Sequence, residues 1–290
     1  MKKRIYLVMF LAVCVSSAVL NGCHKHGSDT KEKTGESGKT VKTTASLDIA
    51  VTEDPQVPAV DIDALDGLKG EPVSAQNKAH NLYRGMIKDE EVILDLWIDK
   101  EKKEAQTAFV GAFHSEELSF LCELLEDGVR FHNDQYYFLL KQQKDDVLKG
   151  YFYEAESEIK EVELTLEAIN DTEDKEHLYT IGENDEVEAF AQKVLDSING
   201  FDFKTFSSYV SFPIKVRVNQ AIQTIKTKEG FKALGGEVIF TDGFVSSMAA
   251  AYPNLMPGNE TDGVMLGDGQ YNVWIQLDDN GQMKVAAIHN

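Results

Sequence analysis

Few residues of this chain have the types and spacing that a catalytic or metal site requires. The chain has seven histidines and three cysteines, but no HExxH or CxxC pairing, the spacings that bring zinc ligands together. The nucleophile-elbow, dinucleotide-binding and kinase signatures are also missing from it. Its 49 acidic residues guarantee chance carboxylate pairs, so no single pair indicates a hydrolase. The sequence therefore predicts no catalytic residue, no metal ligand and no cofactor.

The N-terminus carries an export pattern. Lys2, Lys3 and Arg4 precede a charge-free run over residues 5–20. This run is shorter than the roughly 20 residues that span a bilayer, and it is typical of the apolar region of a signal peptide. We predict a signal peptide over residues 1–22.

The run ends in Leu20-Asn21-Gly22-Cys23, which resembles the lipobox of bacterial lipoproteins. The resemblance implies cleavage before Cys23 and acylation of its sulfur, so that several acyl chains hold the protein on a membrane. The expected location is the bacterial cell membrane or outer membrane, facing the periplasm or the exterior. The alternative is an ordinary secretory signal with an incidental cysteine. Cys122, within an apolar run, is interpreted as a small buried hydrophobe.

Composition divides the rest of the chain into segments. Residues 23–77 begin with a polar stretch that is rich in Lys, Thr, Gly and Ser, and we predict a flexible tether there because such a stretch buries too little apolar surface to fold. Residues 78–170 are predicted to form an acidic β domain, residues 171–182 a polar linker, and residues 183–290 a second domain.

The predicted β domain consists of short segments separated by turn signals. Val92–Asp99 alternates with a period of two, which indicates a strand with one face more apolar than the other. Strands about every ten residues favour an antiparallel sandwich or barrel. Tyr83–Ile87 and Lys149–Tyr153 place a glycine mid-strand beside aromatic residues, which is similar to the meandering β domains of envelope lipoproteins and indicates a close backbone approach.

Residues 183–290 begin with helical patterns and end with strands. Val187 to Ile198 carries an apolar stripe of a helix that Asn184 or Asp185 could cap and Gly200 could end. A second helix is predicted at Phe203–Val210, and the last two strands are joined by a hairpin turn at Asp279–Gly281. Helices followed by a closing antiparallel sheet predict an α+β fold class for the whole chain.

The second domain resembles the nuclear-transport-factor-2-like (NTF2-like) fold, a helix-plus-curved-sheet cone. The resemblance rests on Ser211–Val216, Lys228–Phe231, Gly263–Ile275 and Val285–Asn290. It implies a concave sheet that forms a pocket beneath the helices. The aromatic residues that could line this pocket, each of which could equally be plain core, are Phe190, Phe212, Phe231, Phe240, Phe244, Tyr252 and Trp274.

Charge restricts the class of partner. The net charge is −20 and the isoelectric point about 4.7, which excludes a nucleic-acid binder because phosphate contacts need a basic surface. Residues 47–182 hold 13 Lys and Arg against 32 Asp and Glu, a net charge of −19. This excess serves either solubility or the attraction of a basic protein or peptide.

These observations predict a lipid-anchored binding protein outside the cytoplasm. It would capture a protein, a peptide or an envelope ligand, and a cationic hydrolase is one concrete possibility. Two alternatives stay open. The first is a small isomerase, dehydratase or hydrolase that uses the NTF2-like pocket and would place a His–Asp or Tyr–Asp pair inside it. The second is a structural envelope component with no discrete ligand.

Overall fold

The computed structural model describes residues 67–87, 89–111, 114–154, 159–218, 221–259 and 261–290, without the side chains of 114–117 and 218. The predicted signal peptide, the lipidation site Cys23 and most of the predicted tether lie outside the described residues. Fifteen strands and five helices are present in the described part. The described residues all belong to one compact unit.

The first nine strands form one antiparallel sheet. In spatial order the strands are β4-β3-β2-β1-β9-β8-β7-β6-β5. Their bounds are β1 His80–Ile87, β2 Glu90–Asp99, β3 Glu104–Gly111, β4 His114–Ser119, β5 Leu121–Leu124, β6 Gly128–His132, β7 Tyr136–Gln142, β8 Val147–Glu154 and β9 Lys160–Asn170.

The two edges of this sheet are consecutive along the chain. Only Phe120 separates β4 from β5, yet β4 pairs with β3 whereas β5 pairs with β6. One long, bent segment therefore supplies both edges, and the sheet curls into a nearly closed, barrel-like form. Closure protects edges that would otherwise be open to other strands.

Aromatic side chains fill the inside of the barrel-like sheet. Tyr83, Phe109, Phe131, Phe138 and Phe152 are at most 1% exposed, and the rings of Phe131 and Phe138 stack with 4.4 Å between their centroids. An eight- or nine-stranded closed sheet is just wide enough for side chains to fill it. The interior is a packed hydrophobic core.

A second sheet has six strands in the order β11-β10-β15-β14-β13-β12. Its pairs are antiparallel except β10 with β15, which are parallel. Its strands are β10 Val210–Val218, β11 Ala221–Ile225, β12 Gly258–Asn259, β13 Gly263–Gly267, β14 Asn272–Leu277 and β15 Met283–His289, and the helices are α1 Asn184–Asn199, α2 Phe203–Tyr209, α3 Lys228–Leu234, α4 Gly236–Ile239 and α5 Asp242–Ala249.

The helices cover one face of the six-stranded sheet and share a core with the outside of the nine-stranded sheet. Ile93 and Val110, which point outward from the barrel-like sheet, belong to the same cluster as Val194 of α1 and Ile275 of β14. Strand β2 is therefore buried on both faces: Leu94 and its alternate neighbours face the barrel interior, and Ile93 faces the helices.

The predicted α+β class, an all-β sandwich or barrel domain followed by an NTF2-like helix-plus-curved-sheet domain, is wrong. The chain is mainly β, with few helices. Only α1, with 16 residues, is long; the others have four to eight. After β11 the chain forms three short helical pieces, the first of which ends at Gly235 with φ +81°. In the described ranges no helix combines the length and the apolarity needed to cross a bilayer.

Candidate functional site

Six of the seven predicted pocket residues fill or pack against the core on the helix-covered face of the six-stranded sheet. Phe231 and Phe244 are fully buried, and Phe240 is 8% exposed. Phe190 and Tyr252 are partly buried and pack against the same core. The ring of Phe231 lies 5.4 Å, centroid to centroid, from that of Phe203. These side chains serve packing between the helices and the sheet.

The seventh, Trp274, lines a groove on the opposite, open face of the sheet. Phe212, whose ring centroid lies 6.0 Å from that of Phe231 in the core, also borders this groove. The groove has a volume of about 590 Å³, within the range of small-ligand sites. Its remaining lining consists of Ser211, Pro213, Lys215, Asp262, Gln276, Leu277, Asp278, Asp279, Ala286, Ala287 and His289.

The floor of the groove is low because two alanines lie between larger side chains. Across the sheet, Lys215 of β10 pairs with Ala287 of β15, which pairs with Trp274 of β14. A bulge adds Ala286 beside Ala287, since the register shifts between Trp274 and Ile275. Two strand spacings separate Lys215 from Trp274, about 10 Å. The small methyl groups of the two alanines leave an open space between the Lys215 ammonium and the Trp274 indole.

Acidic side chains lie at one end of the groove, in the turns that precede β13 and β15. Asp262, Asp278 and Asp279 line this end. The hydrogen bond from the Gln282 backbone N–H, together with the one from Asn280, lowers the pKa of Asp278. This carboxylate is thus held in its charged form, and we call these three residues and Trp274 the acidic end.

The opposite end of the groove carries His289 and, beside it, Arg217. Burial, together with the positive charge of Arg217, lowers the pKa of His289. His289 is therefore neutral at pH 7 and can both donate and accept a hydrogen bond. Arg217 reaches the backbone oxygen of Gln270 at 3.5 Å. The groove therefore has an acidic and a basic end.

A buried His–Asp pair lies away from the groove, where the nine-stranded sheet meets the segment 171–182. The Nδ1 atom of His80 is 2.7 Å from Oδ2 of Asp95, and its Nε2 is 2.9 Å from the backbone oxygen of Asp174. His80 is 3% exposed and Asp95 6%. Both ring nitrogens face oxygen atoms, so the arrangement needs two protons.

The Asp174 side chain continues the network. Its Oδ2 is 2.8 Å from Nδ1 of His177, whose Nε2 is 3.0 Å from Oε2 of Glu183. These hydrogen bonds raise the pKa of His177. One residue of the predicted linker, Asp174, therefore binds His80 through its carbonyl and His177 through its carboxylate. Sequence reasoning did not identify this network, because only strand pairing brings His80 next to Asp95.

Comparisons with protein-family models, with curated proteins and with solved structures find no match to this chain. Within the ranges that the structure describes, no group of three His, Cys, Asp or Glu side chains is placed to hold a metal ion. The open-face groove, lined by an indole, a histidine, a lysine and three carboxylates, is the candidate site.

Proposed function

We propose that this chain is a lipid-anchored bacterial envelope protein that captures a basic protein or peptide without catalysis. Acylation at Cys23 would hold it on the cell membrane or outer membrane, facing the periplasm or the exterior. The single observation that carries the binding role is the groove on the open sheet face, which Trp274 lines together with the carboxylates of Asp262, Asp278 and Asp279.

The chemistry of the acidic end favours a cationic side chain. The face of an indole attracts an ammonium or guanidinium group, and a nearby carboxylate adds a charge-assisted hydrogen bond. At low salt the acid-rich nine-stranded sheet adds a field that raises the rate at which a basic partner arrives, and physiological salt largely screens this contribution. The groove would thus confer specificity, and the net charge would speed association.

The enzyme alternative receives less support from the same geometry. It predicts a His–Asp or Tyr–Asp pair inside a pocket beneath the helices. Phe231 and Phe244 fill that region. The His80–Asp95 pair is buried outside the groove and holds a backbone carbonyl. This position favours a structural role for the pair.

Binding of the full chain to a cationic lysozyme-like hydrolase tests the proposal. We expect binding at low salt that weakens as salt rises. Replacing Asp278 and Asp279 by Asn should weaken it about 2- to 30-fold, because an exposed charge contributes about 0.2–1 kcal/mol. Trp274→Ala should weaken binding at least about fivefold if the indole is an anchor.

The matched control is Glu104→Gln with Glu161→Gln, which removes two exposed charges from the nine-stranded sheet. It should change affinity much less than the groove variant. An equal loss of affinity in the groove variant and the control would show that binding depends on net charge alone and that the groove is not the binding site. If the chain fails to bind the hydrolase at every salt concentration, capture of such an enzyme is ruled out.

A further inference from the structure

The hairpin of β10 and β11, together with the start of α3, is a basic region of an otherwise acidic chain. Between Ser211 and Leu234 the sequence has a single acid, Glu229. The five basic residues of the same stretch, which we call the basic hairpin, are Lys215, Arg217, Lys226, Lys228 and Lys232. The region therefore carries a net charge of +4, against −20 for the whole chain.

These five charges have no acidic partner in the described part of the chain. The Lys and Arg side chains that form salt bridges there are Lys78, Arg84, Lys102, Arg130, Lys141, Lys149 and Lys175, all in or beside the nine-stranded sheet. The basic hairpin contributes none of these bridges. Its charges are therefore available to an external anion.

An exposed apolar side chain lies opposite one of these charges, Arg217. Ile222 of β11 is 65% exposed and pairs with Arg217 of β10, so the two side chains share the open face of the sheet. Strand β11 is the outermost strand of its sheet, and Ala221, Gln223 and Thr224 are also exposed. Natural edge strands are usually guarded by a charge or a proline of their own, and Ala221–Ile225 has neither.

We propose that the basic hairpin docks on the anionic headgroups of a lipid bilayer, with Ile222 entering the interface. An exposed apolar side chain beside a basic one, in a region of net positive charge, is the combination that binds an anionic membrane surface. An acidic protein would complement the same charges but would leave Ile222 without an apolar environment, unless it offered a matching pocket. The acidic sheet does not prevent docking, because charges beyond a Debye length of about 8 Å are largely screened at physiological salt.

Hydrogen–deuterium exchange of the full chain tests the inference, on vesicles of phosphatidylcholine alone and of phosphatidylcholine with phosphatidylglycerol. We expect amides of β11 to exchange at least about fivefold more slowly on the anionic vesicles, about the effect of a single basic residue at such a surface. Lys226→Glu with Lys228→Glu should abolish the difference, and Ile222→Ser should reduce it. An acyl anchor would attach all of these variants equally.

The control is Lys144→Glu with Lys193→Glu, the same charge change at two exposed sites outside the basic hairpin. It should leave the protection intact. Equal exchange on both vesicles, or equal loss in the control, would overturn the inference. If a soluble acidic polypeptide protects β11 and anionic vesicles do not, the partner of the basic hairpin is an acidic protein and not a membrane. Lys226 and Lys228 lie outside the groove lining, so this result is independent of capture at the acidic end.

Discussion

Replacing His80 by Leu should destabilise the protein far more than replacing both His80 and Asp95. His80→Leu leaves the Asp95 carboxylate buried without its partner, and Oδ1 of Asp95 already has none in the described part of the chain. Breaking a buried ion pair from one side costs about 3–5 kcal/mol, whereas replacing both partners by apolar groups is often close to neutral. A typical domain has only about 5–15 kcal/mol of stability.

The assay is urea unfolding of the wild type, both single Leu variants and the double variant. A double-mutant cycle then gives the coupling between the two side chains. We expect a coupling energy of at least about 1.5 kcal/mol, because each single variant leaves a buried polar group unsatisfied. The Asp174 carbonyl loses its donor in both variants that lack His80, so this loss cancels in the cycle.

The same pair gives the stability a defined pH dependence. Burial alone would lower the pKa of His80, but the hydrogen bond and charge of Asp95, with the Asp174 carbonyl, outweigh it and raise the pKa above 6.5. Burial also raises the pKa of Asp95, so both shifts mean that the folded pair holds more protons than the unfolded chain. A raised folded-state pKa means that the stabilisation is fully present below about pH 6.5 and is lost as the pH rises through the folded value. The free energy of unfolding should fall over that window in the wild type and stay flatter in the double Leu variant.

Two results would refute this reasoning. One is a cost below about 1 kcal/mol for His80→Leu together with a coupling energy near zero, which would mean that water replaces the missing partner. The other is a wild-type stability that rises from pH 6.5 to 8.5 relative to the double variant, which would mean that the folded pair binds fewer protons than we infer.

Three further predictions concern the sheets and the segment 171–182. Gly150→Ala should cost about 1–3 kcal/mol in urea unfolding, because its Cβ would overlap the Leu139 carbonyl, whereas Gly269→Ala, with open space around it, should cost little. Burial raises the pKa of Cys122 to about 12, so iodoacetamide should label this residue slowly at pH 7.5 in the folded chain and rapidly in urea; equal rates would contradict the burial. His177→Gln should speed tryptic cleavage after Lys175 with little change in the unfolding midpoint, since His177 joins Asp174 to Glu183 at the surface; unchanged cleavage would show that this link is not needed.

Local periodicity predicted individual elements well. The apolar stripe from Val187 to Ile198 is confirmed as the buried face of α1, and Gly200 ends the helix. The predicted close approach at mid-strand glycines is confirmed, since a Cβ on Gly85 would meet the Glu163 carbonyl. The predicted cap is wrong: Glu183 occupies the N-cap position, and the Asn184 side chain instead bonds the backbone of Leu178 and Glu176. That non-local use of the amide could not be read from spacing.

The candidate site was harder to predict, because a pattern shows which residues share a face but not what covers that face. Trp274 and Ile275 belong to one strand, yet the indole borders the open groove whereas Ile275 is buried under the helices. Most of the aromatic residues that were expected to line a pocket are core residues, because the helices cover the sheet face on which they lie. Strand β11 was missed as well, because an exposed edge strand lacks the apolar alternation on which strand prediction depends.

The acidic end of the groove and Arg217 of the basic hairpin lie towards opposite ends of strand β15. Strand β15 starts at Met283, beside the turn that holds Asp278 and Asp279, and its last residue, His289, lies in the field of Arg217. Seven residues of strand cover about 20 Å, which exceeds the Debye length at physiological salt. The two ends therefore act as separate electrostatic surfaces. Lys226 and Lys228 line no part of the groove, so replacing them leaves Trp274 and the three carboxylates unchanged. The Lys226→Glu/Lys228→Glu variant should then keep its affinity for a cationic partner in solution and change only its contact with the bilayer.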